Sequence, residues 1–107
     1  MEDDDIWQSV FRALGDRTRR RVLVALSELP NADDTLSVPE DVHEGDRDEA
    51  TLETALYHNH LPLLEQAGYV RWDPDAGRVG IGDDFEEIRP VLRLLHDNRD
   101  GLPDGWV

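Results

Sequence analysis

Apolar residues along the chain fall into four stripes at helical spacing and one alternating stretch. In "IWQSVFRAL", Ile6, Val10, Phe11 and Leu14 share one side of a helix predicted over residues 5 to 14, which Gly15 is placed to end. Asp16 is placed to cap a second helix, "RTRRRVLVALSEL", whose inner side is Val22, Leu23, Leu26 and Leu29, with Pro30 beyond its end. Residues 31 to 50 break the pattern, offering only Leu36, Val38 and Val42 as anchors among eight acids, and predict a loop with at most one short helix or strand. From Asp46 or Asp48 as N-cap, a long helix is predicted through "EATLETALYHNHLPLLEQA" to Gly68, a natural residue in the left-handed position after a helix.

"YVRWD", "PDAG" and "RVGIG" then read as strand, tight turn and strand, a hairpin over about residues 69 to 82. A last helix is predicted over about residues 84 to 98, with Asp83 or Asp84 as cap, Glu87 completing a capping pattern, and Ile88, Val91, Leu92 and Leu95 on one side. Pro90 means that this helix either kinks or starts later than its cap suggests. The tail, residues 101 to 107, carries too many breakers for regular structure, though Trp106 has reason to dock. Residues 1 to 100 thus make one domain, mainly α with a small β-hairpin.

Charge changes the picture. The 107 residues hold 25 acids against 11 basic residues, a net charge of −14, and every basic residue is Arg. This balance resembles that of a cytosolic protein from a salt-in halophile; an ordinary acidic protein seldom loses all its Lys. In ordinary buffer such a charge argues against nucleic acid. In molar salt, where the Debye length is about 3 Å, only groups touching a phosphate count, so DNA stays open. Residues 12 to 21, with five Arg and one Asp, are the one basic island.

The absence of Cys excludes disulfides, thiolate metal sites and cysteine nucleophiles. No signal peptide and no apolar run near 18 residues is visible, which makes the cytoplasm the expected compartment and excludes a spanning helix. His58 and His60 invite a metal, but positions i and i+2 on a helix point about 200° apart, and no HEXXH arrangement is present. No metal and no cofactor are expected. Nothing resembles a nucleophile with its base, a phosphate loop or a carboxylate pair in a cleft, so an enzyme is not expected.

"LGDRTRRRVLVAL" resembles the "LGDPTRLRILxLL" helix of ArsR-like regulators, and "HLPLLEQAGYVRWD" resembles the "HLxxLxxAGLV" end of their recognition helix where it runs into the wing. The same stretch also resembles the "HxHLPxLxxAGxV" signature of small haloarchaeal winged-helix proteins, which implies these as nearer relatives. The resemblance covers roughly residues 6 to 82 and implies a winged helix-turn-helix with an added C-terminal helix. The implied function is a dimeric transcriptional regulator of a halophilic archaeon, with double-stranded DNA as its partner. The helix over about residues 48 to 67 would lie in the major groove, reading with Thr51, Thr54, Tyr57, His58 and Asn59. Arg71 and Arg78 on the wing would reach an adjacent phosphate or the minor groove, and Arg17 and Arg20 in the basic island would approach the DNA backbone. The first and last helices would form a homodimer interface through Trp7, Phe11, Val91, Leu92 and Leu95.

Alternatives stand beside each expectation. The Arg run is either a solvated face or a phosphate clamp. Pro62 removes a hydrogen bond to the His58 carbonyl, giving either a kink without consequence or a bend that aims the first half of the helix into a groove. His60 is expected as a partly buried packing residue beside the wing and His58 as an exposed polar one. Glu49, Glu53 and the acidic "DPDAG" turn disfavour DNA, so the other function carried forward is a winged-helix protein–protein interaction module that has lost DNA binding.

Overall fold

The computed structural model describes residues 2–43, 45 and 48–107, with side chains from residue 5 onward. Helix α1, Glu2–Leu14, starts three residues earlier than its apolar stripe predicts. Val10 and Ala13 are its buried positions, whereas Phe11 is 66% exposed. Asp16, extended at φ −135°, caps α2, Arg17–Ser27, by accepting from the Thr18 and Arg19 amides. Val22, Leu23 and Leu26 of α2 are fully buried, and Leu29 packs at the edge of the core.

The acidic segment holds more order than expected. Thr35–Ser37 forms strand β1, and a single 3₁₀ turn follows at Glu40–Val42. Leu36, Val38 and Val42 are the buried anchors of this segment. Of the two caps foreseen for the long helix, Asp48 takes the role through the Ala50 amide, and Asp46 lies outside the described residues.

The long helix is continuous over residues 49 to 66 but not uniform. Helix α3, Glu49–Ala55, passes into a π-helical stretch, Leu56–His60, and then into α4, Leu61–Gln66, with Pro62 in the first turn of α4. The Leu61 amide donates to the Leu56 carbonyl, five residues back rather than four. The wider turn leads into the proline whose ring would crowd the His58 carbonyl in a regular helix, so Pro62 is accommodated without ending the helix. Leu52, Leu56, His60, Leu61 and Leu64 form its buried side.

Gly68, at φ 84°, ends the long helix and turns the chain into strand β2, Val70–Asp73. Strand β3, Arg78–Ile81, returns antiparallel, and β1 pairs with its other edge, giving a three-stranded antiparallel sheet in the order β1-β3-β2. The last helix, α5, begins only at Arg89 and runs to Asp97, behind a 3₁₀ turn at Phe85–Glu87. Pro90 therefore sits in its first turn, and neither Asp84 nor Glu87 forms the foreseen cap. A 3₁₀ turn at Arg99–Gly101 opens the tail. The fold is mainly helical with one small sheet, and Tyr69, Phe85, Ile88 and Leu92 complete the core between them.

At Gly68 a Cβ would land against the Asp84 carboxylate as well as meet the usual left-handed penalty. Gly68→Ala should lower unfolding free energy by about 2 kcal/mol, and adding Asp84→Ala should restore part of that. Denaturant unfolding checks it: an unchanged midpoint for Gly68→Ala would sink the assignment of this turn.

Candidate nucleic-acid interface

Three side chains fix the long helix against the rest of the fold. Arg19 donates through Nε to the Ala13 carbonyl at 3.1 Å and through Nη2 to the Arg12 carbonyl at 2.9 Å, closing the end of α1. Its Nη1 lies 3.1 Å from Nδ1 of His60. With Nδ1 accepting, the other ring nitrogen carries the proton, and it faces Asp16 Oδ1 at 3.6 Å. Burial alone would raise the Asp16 carboxyl, but His60, the Thr18 and Arg19 amides and the Arg19 guanidinium together hold it below the ordinary 3.8. His60 is thus more deeply buried than the partly buried packing residue expected, and its described polar partners lie at the α1–α2 corner.

With that side pinned, the opposite side of the helix faces solvent. Thr51, Thr54, His58 and Asn59 are all exposed. The Thr51 hydroxyl donates to Asp48 at 2.7 Å, and this bond together with the Ala50 amide depresses the Asp48 carboxyl. The Thr54 hydroxyl donates to the Ala50 carbonyl at 3.0 Å, leaving its lone pairs outward. His58 and Asn59 lie within the π-helical stretch. Glu49 and Glu53 are exposed on the same helix.

Tyr57 has a different place. Its ring meets Trp72 edge-on, with centroids 5.1 Å apart and planes at 90°, and its hydroxyl donates to the Pro74 carbonyl at 3.4 Å. Burial, then the charges of Glu53, Glu40 and Asp73, raise its phenol above the ordinary value. It is a strut between the long helix and the hairpin turn. Of the hairpin arginines, Arg71 forms an ion pair with Asp83. Arg78 crosses the sheet, donating to Thr35 Oγ1 at 2.9 Å and Ser37 Oγ at 2.5 Å, and stays exposed.

The basic island is largely committed to the fold. Arg17 donates to the Val107 main-chain oxygen at 3.0 Å. Arg20 donates to the Trp106 carbonyl and, at 2.7 Å, to that of Leu14. The two arginines expected at phosphates therefore hold the tail against α2, and Trp106 docks beside them. At the expected dimer face, Trp7 and Phe11 are exposed and stack with centroids 5.5 Å apart, while Val91 and Leu95 are half-buried. Leu92 is only 1% exposed because it occupies the centre of the α5 stripe, inside the core; Leu94, 63% exposed, takes its place on the outside.

Arg19, Thr35, Ser37 and Leu94 are residues that pattern alone does not single out. Arg19 sits in the motif "GDRTR", and the signal for it was a cation three residues after the capping Asp16. The family model described as Domain of unknown function (DUF7344) matches residues 11–80, which span α2, β1, the long helix and nearly all of the hairpin. No curated protein and no solved structure matches the chain.

Because Asp16 ionises below 3.8 in the fold, its charge contributes stability above that pH, and the contribution is lost as pH falls through the folded value. Asp16→Asn keeps a capping side chain and removes the charge. Denaturant titrations should show the deficit of this variant at neutral pH shrinking below about pH 4. A deficit that stays constant across that range would exclude the charge as its source.

Proposed function

The chain belongs to the DUF7344 family, whose description names no activity, and from the geometry we propose that it is a dimeric DNA-binding transcriptional regulator with a winged helix-turn-helix fold. The observation that carries this reading is the long helix, anchored from behind by Asp16, Arg19 and the buried leucines while Thr51, Thr54, His58 and Asn59 face outward. Short polar groups on a rigidly held helix suit base edges in a major groove. The element order supports it: α2, β1, a short helical turn, the long helix and a hairpin whose second strand pairs with β1. In that frame the Glu40–Val42 turn stands where the helix before the recognition helix is expected, and α5 is the C-terminal addition.

Tyr57 and, through the tail, Arg17 and Arg20 act in this reading by positioning and not by touching DNA. Arg78 is the wing cation left for a phosphate, since its described partners are two hydroxyls. The exposed and adjacent Trp7 and Phe11 supply apolar surface that a two-fold dimer would cover, setting two long helices in successive grooves. A net charge of −14 repels DNA at long range, so such binding calls for molar salt, as in the cytoplasm of a halophilic archaeon, where only groups at contact count. No helix among the described residues is long and apolar enough to cross a membrane.

A second reading, a protein–protein interaction module, draws on Glu49 and Glu53 beside the outward polar side chains and on the engagement of Arg71 by Asp83. Selection of bound DNA in molar KCl separates the two. The regulator reading predicts a two-fold motif, and His58→Ala, Asn59→Ala or Thr54→Ala should weaken it about tenfold or change its sequence, while Arg17→Met should not. Absence of any enriched sequence with folded protein would reject DNA reading in favour of the module.

The dimer is tested separately. Light scattering in molar KCl should report a dimer for the native chain and a monomer for Phe11→Asp. A monomeric native chain at micromolar concentration would refute that part.

A further inference from the structure

We propose that the groove between α1, α5 and the C-terminal tail binds a medium-chain aliphatic carboxylate, its head group on Arg20. The groove has a volume of about 410 Å³ and is walled by Phe11, Leu14, Leu95, Leu102, Pro103 and Trp106. That size lies within the range of small-molecule sites, about 300–1,000 Å³. Arg20 and Asp104 are the lining residues with a charged side chain, and Asp104 is exposed in the tail.

The charge on Arg20 points to the ligand. This guanidinium is half-buried, and its described partners are two main-chain carbonyls, those of Leu14 and Trp106. Among the described residues no carboxylate pairs with it, although the chain carries 25 acids and both Arg71 and Arg89 have acidic partners. A guanidinium presents five N–H groups in a fork that matches a carboxylate, so donors remain after the two carbonyls are satisfied. A partly dehydrated cation at the wall of an apolar groove gains most from an anion whose body is also apolar.

The rest of the ligand follows from the walls. Side chains around the groove offer almost nothing to a polar body, so hydroxyls or amides along the chain would lose their water without replacement. A flexible aliphatic chain of moderate length meets leucine, proline and aromatic faces without that loss. This inference is independent of DNA reading, since its measurement is binding to the free protein. Phe11 and Leu95 also belong to the proposed dimer face, so a second copy is the competing occupant.

The test is an NMR titration of the full chain in molar KCl with potassium octanoate and, separately, with 1-octanol. Saturable octanoate binding is expected, with shifts at Leu95, Leu102 and the Trp106 indole, and octanol about tenfold weaker, the weight of a charge-assisted pair. Arg20→Met should abolish the preference for octanoate, so that the two ligands bind alike. Leu102→Asp, a tail substitution outside the helices, should weaken both ligands and guards against a folding defect in the Arg20 variant. Equal binding of the two ligands, shifts mapping elsewhere, or no saturation would overturn the proposal. A dimer whose Leu102 and Trp106 signals do not respond would overturn it in favour of a second copy covering the groove.

Discussion

Arg19 closes the corner where α1 ends and α2 begins, and the placing of the long helix depends on it. Two of its nitrogens donate to the carbonyls of Arg12 and Ala13 in the last turn of α1, where helix carbonyls lack their full set of intrahelical partners. The third reaches His60, the last residue of the π-helical stretch. Asp16 supplies the opposite charge while capping α2, so one pair of residues three apart satisfies two helix ends and grips a third helix. Hydrogen bonds to charged groups contribute roughly 1.5–3 kcal/mol each, and leaving such a group without its acceptors costs more. A small core of leucines sets the distance between helices. This polar corner sets which side of the long helix turns inward.

The π-helical stretch acts on the same helix from within. Widening the turn at Leu56–His60 shifts the angular position of residues ahead of it relative to α4, whose Leu61 and Leu64 are fixed in the core. His60 can then face Arg19 while Tyr57 reaches Trp72 and the hairpin turn. The proline and the buried histidine are therefore parts of one arrangement: Pro62 disfavours a regular turn, and the Arg19–His60 contact holds the alternative. At the other end, Gly68 and Gly82 stack so closely that a Cβ on Gly82 would strike the Gly68 carbonyl. The amide of Asp84 donates to that same carbonyl at 2.8 Å, which locks the base of the hairpin to the helix end.

What could be read from sequence was local. The Asp16 and Asp48 caps, the Gly68 stop and the hairpin are each specified within a few residues, and each is found in the structure. Strand β1 was not legible because three residues carry no period of their own; pairing with β3, more than 40 positions later, makes it a strand. The roles of Arg17 and Arg20 were missed for the same reason, since their partners lie 90 and 86 residues away in the tail. Leu92 and Leu94 were exchanged at the outer face because a stripe shows which side of a helix is apolar, not how deeply its centre is sunk. Of the helix-borne candidates, Thr51, Thr54, His58 and Asn59 remain exposed, on the side away from the leucine stripe, and Tyr57 is drawn in by its ring.

The arginines bear on how so acidic a chain is held together. Exposed ion pairs contribute about 0–1 kcal/mol and weaken as salt rises. Arg17, Arg19, Arg20 and Arg99 instead donate to main-chain oxygens, contacts that depend on hydrogen-bond geometry more than on long-range charge. Lysine, with a compact ammonium, could not span the Arg12 and Ala13 carbonyls and the His60 ring together. These cations are thereby committed to the fold, and the outer side of the long helix is a surface of acids and neutral polar groups. Recognition by such a surface has to come from hydrogen bonds made at contact, which is the capacity His58 and Asn59 retain on the outer side of the long helix.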